Sequence, residues 1–414
     1  MKIIERLQQR GLIEQMTPGL AEHLTNPAGV YLGIDPTADS LHLGNLVPIM
    51  ALAWLRKAGH RVHFVVGGAT GRIGDPSGRS IERPLLSEEE LRHNVKSISQ
   101  FLHSMPLFFD APVLDNMDWL GNFMLIDFLR DVGKQFRVSA MLAKDSVRTR
   151  LESEEGISFT EFTYQVLQGY DFYHLHKSKS ISLQVGGSDQ WGNITAGIEL
   201  NRKMGEAPTH GLAFPLLTRS DGKKFGKTAE GAVWLSAHRY SPYQLYQYLL
   251  SIPDADVGHM LRVFTFLEEA EIDALEPGVA QRRLGDEVVR FVHGEEALQG
   301  ALQLSSGLAP GSETRLTGSA LKALAQELQE LDPTLIMTLS TEQVLEQKYT
   351  DLLAQVGLTS SRGEAVRLVQ NGGGYLNNTV VSDAAKRLSV EDIIDKTYLL
   401  LGAGKKKKKL IVLK

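Results

Sequence analysis

Residues 31–45, YLGIDPTADSLHLGN, decide the fold. Positions 30–34 are mostly apolar and extended in pattern, 35–40 carry turn residues, and 43–57 show helical spacing closed by Gly59. A strand that feeds a helix through a polar turn presents the helix's first N–H groups, which lack intrahelical partners, together with the positive end of its dipole. Such a helix start binds anions. His42 and Asn45 stand three residues apart, so both are expected to project from the first turn and donate hydrogen bonds to one polyphosphate.

Outward from this unit, residues 61–66 read as a second strand after the break at Gly59. The succession strand, helix, strand makes a parallel sheet with helices on its faces, and ligands gather at the carboxyl ends of its strands. The second strand runs into GGATGRIGDPSGRSIER, residues 67–83, where glycines let the backbone approach a ligand closely. Asp75 supplies an anion there, and Arg79 and Arg83 supply cations. Residues 85–153 are largely helical in pattern and interrupt the strand succession, as an insertion that serves a subunit interface does. In FTEFTYQVLQGYDF, residues 159–172, Tyr164, Gln168 and Asp171 fall at i, i+4 and i+7 on one helix face.

Residues 181–185 read as another buried strand, followed by GGSDQWGN, in which Asp189 and Gln190 stand beside two glycines at the strand's carboxyl end. An Asp at such a place binds two ribose hydroxyls or caps the next helix. TRSDGKKFGKTAE, residues 218–230, is a Gly- and Lys-rich loop in which Lys224, Lys227 and Thr228 can wrap a polyphosphate, without P-loop spacing.

A chain of 414 residues exceeds one ordinary core, so two or three domains are expected. Zero cysteines exclude disulfides and thiolate metal sites and fit a reducing cytoplasm. No signal-peptide core and no membrane-spanning length is present. His174 and His176 have no third metal ligand at a suitable spacing, and no Ser/His/Asp nucleophile motif appears. Net charge is −5, yet residues 351–414 hold 11 Lys and Arg against 6 Asp and Glu, which leaves 33 against 43 for the remainder. That asymmetry points to a C-terminal unit facing a polyanion. Its pattern is a short helix from Tyr349, a capped helix over 360–369 carrying Arg362 and Arg367, a strand at 375–377, and a run of five lysines at 405–409 between strands.

HLGN at 42–45 and KFGKT at 224–228 together resemble the two signature sequences of class I aminoacyl-tRNA synthetases. With YLGIDPTADSLHLGN, GGATGRIGDPSG, YQVLQGYDF and GGSDQWGN, the chain resembles the bacterial tyrosyl-tRNA synthetases over essentially its whole length. The resemblance implies an α/β fold: a Rossmann-like parallel-sheet catalytic domain over 1–217 with the insertion at about 85–153, and a phosphate-loop linker at 218–240. A helical domain at 241–325, a linker at 326–347 and a small α+β RNA-binding domain at 348–414 follow, the last similar to the alpha-L motif of a small-subunit ribosomal protein.

The resemblance also implies roles. Tyr31 and Asp171 match positions that contact the tyrosine hydroxyl; Asp75, Tyr164 and Gln168 match those that hold its amino group, and Gln190 the carboxylate or adenylate. Gly33, Asp35, Gly187 and Asp189 match ATP contacts, and His42, Asn45, Lys224, Lys227 and Thr228 surround the phosphates, with Arg79 and Arg83 near pyrophosphate. Arg362, Arg367, Lys405, Lys406 and Lys407 form the implied tRNA face. The resemblance further implies ATP with Mg2+, L-tyrosine and tRNA(Tyr) as substrates and a cytoplasmic homodimer. Asn45 stands where many relatives carry a second histidine, and keeps a donor that does not titrate. Two alternatives share parts of the pattern: a tryptophan-type class I synthetase, and an inactive synthetase-derived RNA-binding protein.

Overall fold

The computed structural model describes residues 2–78, 85–152, 156–217, 225–228, 231–307, 317–404 and 407–414. These fall into two packing units, one of residues 1–240 with 252–292, the other of residues 241–251 with 293–414. The helices between 241 and 325 are thus shared between the two units.

The first unit is built on a six-stranded sheet: β1 (Gln15–Met16), β2 (Gly29–Ile34), β3 (Arg61–Val66), β4 (Val113–Asp115), β5 (Ile181–Gly187) and β6 (His210–Phe214), in the order β1-β6-β5-β2-β3-β4. Five strands are parallel, and β1 runs antiparallel along β6. Their apolar residues form near-continuous runs because helices cover both faces of a parallel sheet. The connection from β2 goes one way, through α1 (Leu46–Lys57), to β3, while β5 lies on the other side of β2. A crevice opens at the carboxyl ends where the order reverses in this way.

The expected strands at 30–34, 61–66 and 181–185 are present within a residue or two of their predicted limits. The helical run at 43–57 begins as a 3-10 turn, Leu43–Asn45, before α1. The segment 85–153 contains α2 (Glu88–Ser104) and further short helices, but also β4, whose three residues take their strand form from pairing with β3. The helix predicted from 159 is α3 (Phe159–Lys179); Ser158 caps its start and it ends at Ser180 in the left-handed region, φ 53°. It is followed after β5 by α4 (Trp191–Lys203).

The second unit carries a sheet of β9 (Ile336–Leu339), β10 (Gly374–Leu376), β11 (Thr379–Val380), β12 (Tyr398–Ala403) and β13 (Lys407–Leu413), ordered β11-β10-β12-β13-β9. Its core gathers Tyr349, Leu352 and Leu353 of α5 (Tyr349–Gln355) and Ala365 and Val369 of α6 (Arg362–Gln370) on Leu399, Leu401 and Ile411. The lysine run does not lie wholly between strands: Lys407, Lys408 and Lys409 already belong to β13. Strand alternation puts Lys408 on the face of β13 opposite Ile411, where it is buried over the Tyr375 ring with its pKa lowered by burial to about 8.

Candidate active site

The carboxyl ends of β2 and β5, the turn after β2, α3 and the loop after β5 enclose a cavity of about 600 Å³. Twelve of the predicted residues line it: Tyr31, Gly33, Asp35, His42, Asn45, Asp75, Tyr164, Gln168, Asp171, Gly187, Asp189 and Gln190. Lys224, Arg79, Arg83, Lys405 and Lys406 lie outside the described residues. Lys227 and Thr228 form a two-residue strand, β7 (Lys227–Thr228), paired antiparallel with β8 (Gly231–Ala232).

At the inner end, Asp171 is buried on α3. Its Oδ2 accepts from Asn116 Nδ2 at 3.1 Å and its Oδ1 from Trp119 Nε1 at 2.7 Å. Burial pushes the carboxyl up to about 7 against the opposing pull of these two donors. Tyr31, on β2, is buried against Phe172, and its hydroxyl finds no partner among the described residues. Burial first, and then the charge of Asp171, holds that hydroxyl in its protonated form.

Towards the middle, Tyr164 donates to Asp35 Oδ2 at 2.8 Å, and Thr70 donates to Asp35 Oδ1 at 2.9 Å. Asp75 is buried; it accepts from Gln190 Nε2 at 2.6 Å, from the Ser77 N–H at 2.9 Å and from Asn193 Nδ2 at 3.4 Å. Two residues assigned by resemblance to different substrates, Tyr164 and Asp35, are therefore bonded to each other, so the two subsites share a wall.

At the outer end, His42 and Asn45, expected to project from the first turn and donate to a polyphosphate, also serve the turn itself. They form a capping box: the Gly44 N–H donates to His42 Nδ1 at 3.1 Å, and the His42 N–H donates to Asn45 Oδ1 at 3.0 Å. The first turn consumes one acceptor of each side chain, because its own N–H groups need partners. With Nδ1 accepting, the donor that the His42 ring can carry is Nε2–H, and the donors of Asn45 are those of its amide NH2.

The second signature is docked on the first through the backbone. The Leu43 N–H donates to the Val233 carbonyl at 2.8 Å, the Val233 N–H donates to that of Gly226 at 2.8 Å, and His42 and Trp234 form an antiparallel bridge. Gly226 has φ 77°, and a Cβ there would stand 3.1 Å from Leu43 Cβ. Glycine is needed at that crossing on both counts.

Sequence reasoning missed Asn116, Trp119, Thr70 and Asn193. Asn116 and Trp119 sit just after β4, inside a segment whose helical pattern gave no sign of a strand end at the sheet. Asn193 and Thr70 stood within quoted motifs, GGSDQWGN and GGATG, without an assigned role. Among the described residues no three His, Cys, Asp or Glu side chains gather as a metal-ligand set, and no helix is long and apolar enough to cross a membrane.

In the second unit, Arg362 and Arg367 are exposed on α6 and Lys407 is exposed at the start of β13. The Glu364 carboxyl on the same helix is held below its ordinary range first by Ser360 and then by Lys407 and Arg367, so these two cations flank one acid on a shared face.

A Rossmann-like parallel sheet with a nucleotide-type crevice and two docked signatures defines a class I aminoacyl-tRNA synthetase, and the family model described as tRNA synthetases class I (W and Y) matches residues 23–308. A second, the tyrosine–tRNA ligase SYY-like C-terminal domain, matches residues 334–411. The tyrosine–tRNA ligase of Protochlamydia amoebophila is 50% identical over 424 residues, covering 99% of this chain and 98% of that protein. The chloroplastic/mitochondrial tyrosine–tRNA ligase of Arabidopsis thaliana is 43% identical over 430 residues, covering 99% and 83%. A crystal structure of a C-terminally truncated mitochondrial tyrosyl-tRNA synthetase from Aspergillus nidulans superposes with a TM-score of 0.65 at 31% identity, covering 73% of this chain and 93% of that one. The chain belongs to the tyrosyl-tRNA synthetase family of class I.

Proposed function

We propose that the chain activates L-tyrosine with ATP and transfers it to the 3′ end of tRNA(Tyr), with the cavity residues in the roles that follow. The observation that carries this reading is the pairing of the unpartnered, buried Tyr31 hydroxyl with the fixed Asp171 carboxylate at the closed end of the cavity. A buried hydroxyl without a partner is costly, and a phenol entering the cavity supplies one: its oxygen accepts from Tyr31 and its O–H donates to Asp171. The indole of tryptophan has no such group.

The tyrosine carboxylate attacks the α-phosphorus of ATP, the α–β phosphoanhydride bond breaks, and pyrophosphate leaves with the bonding pair. The terminal tRNA hydroxyl then attacks the tyrosyl carbonyl and AMP leaves. The carboxylate is already ionised, so positioning and charge stabilisation carry the first step. Asp75, Tyr164 and Gln168 hold the amino group and Gln190 the carboxylate. Gly33, Asp35, Gly187 and Asp189 hold the nucleoside. His42, Asn45, Lys224, Lys227 and Thr228 hold the phosphates, with Arg79 and Arg83 at the departing pyrophosphate. ATP enters as its magnesium complex, a substrate.

Arg362, Arg367, Lys405, Lys406 and Lys407 contact the tRNA backbone. The chain works in the cytoplasm as a homodimer. Support for the pairing comes from Met124, Leu125, Ile126 and Phe159, large apolar side chains that are 69–77% exposed in and beside the helical insertion. ATP–pyrophosphate exchange with each standard amino acid tests the activity: exchange with tyrosine alone is expected, and exchange with tryptophan or with none contradicts it.

A further inference from the structure

Asp171 is oriented by two donors of different standing. Asn116 is buried and also reaches Thr70 Oγ1 at 3.0 Å, so it is fixed from two sides. Trp119 belongs to a four-residue helix, Met117–Leu120, that has no side-chain cap, and its indole is only partly buried against the cluster of Tyr31, Val65 and Phe172. An indole on so short an element needs support from elsewhere to keep its N–H on a carboxylate. His174 provides a flat surface: its ring stacks on Trp119 with centroids 4.7 Å apart and planes 11° from parallel.

His174 stands three residues after Asp171 on the 21-residue α3, so both lie on one face a turn apart. One long helix thus grips the indole twice, by a hydrogen bond to its N–H and by a ring against its face. His174 also borders a second cavity of about 360 Å³, with Tyr170, Tyr173 and Lys177.

We propose that His174 is a positioning residue for tyrosine recognition: its stack on Trp119 holds the indole N–H on Asp171 Oδ1 and so fixes the carboxylate that accepts the hydrogen bond of the tyrosine hydroxyl. The inference rests on the tyrosine-reading role given above to Asp171. Burial lowers the pKa of His174, with a further contribution from Lys179, so the neutral ring is the form that stacks at neutral pH. Contact is then between two π faces, and any flat ring of similar size can supply it.

The test uses the full chain in tyrosine-dependent ATP–pyrophosphate exchange. His174→Ala should raise the KM for tyrosine about three- to tenfold, with kcat and the KM for ATP within twofold of the unaltered chain. His174→Phe should restore the tyrosine KM to within twofold. If His174→Ala leaves the tyrosine KM within twofold, lowers kcat alone, or is matched in its loss by His174→Phe, the proposal is overturned while the functional reading stands. Absence of tyrosine-dependent exchange in the unaltered chain removes both.

Discussion

The two ends of the cavity are built by opposite means. At the inner end, Asp171 is buried and its two oxygens are committed to Asn116 and Trp119 before any ligand arrives. At the outer end, His42 is exposed, and the positive character comes from a helix start whose side chains are partly spent on their own backbone. Selection by a hydroxyl requires groups that cannot relax or find water when the wrong substrate enters, which burial ensures. Phosphate chemistry requires charge that meets a group as it departs, which a helix start offers and to which the proposed contacts of Lys224 and Lys227 add. Damage at the inner end should therefore appear as lost discrimination, and damage at the outer end as lost rate.

The largest effect is expected at the outer end. Lys227→Ala should slow tyrosyl-adenylate formation about 10²- to 10³-fold in single-turnover measurements, while equilibrium ATP binding weakens by less than about tenfold. Equal losses in the two would merge the ends into one binding surface and break the contrast.

A smaller effect is expected in the second unit. Reversing both exposed cations of α6, Arg362→Glu with Arg367→Glu, should raise the KM for tRNA about tenfold at physiological salt and leave ATP–pyrophosphate exchange unchanged. The KM for tRNA should also become less sensitive to salt in that variant, since fewer counterions are released on binding. Unchanged tRNA charging would remove the basic face from the account.

What could be read in the sequence was what is local. The limits of β3 and the phase of α3 follow from apolar spacing, so Tyr164, Gln168 and Asp171 could be placed on one face and do line one cavity. The strands β1 and β4 were hidden, since two or three residues carry no pattern and their form comes from pairing with β6 and β3. The support of Asp171 was hidden for a related reason: its bonds to Asn116 and Trp119 cross 55 and 52 residues of chain. At His42 and Asn45 the spacing was read correctly, but three-residue spacing serves a capping box as well as a ligand, and the backbone took one acceptor from each side chain. The lysine run misleads in a similar way, as Lys408 is buried over the Tyr375 ring while Lys407, at the start of β13, is exposed.

The central claim is that Tyr31 and Asp171 read the substrate hydroxyl. It is tested most directly by the ratio of kcat/KM for tyrosine to that for phenylalanine in ATP–pyrophosphate exchange. The measurement belongs at pH 8, above the value of about 7 at which Asp171 loses its proton. Tyr31→Phe combined with Asp171→Asn should lower that ratio by at least about 10²-fold, chiefly through loss of activity with tyrosine. A ratio unchanged within twofold would contradict the account.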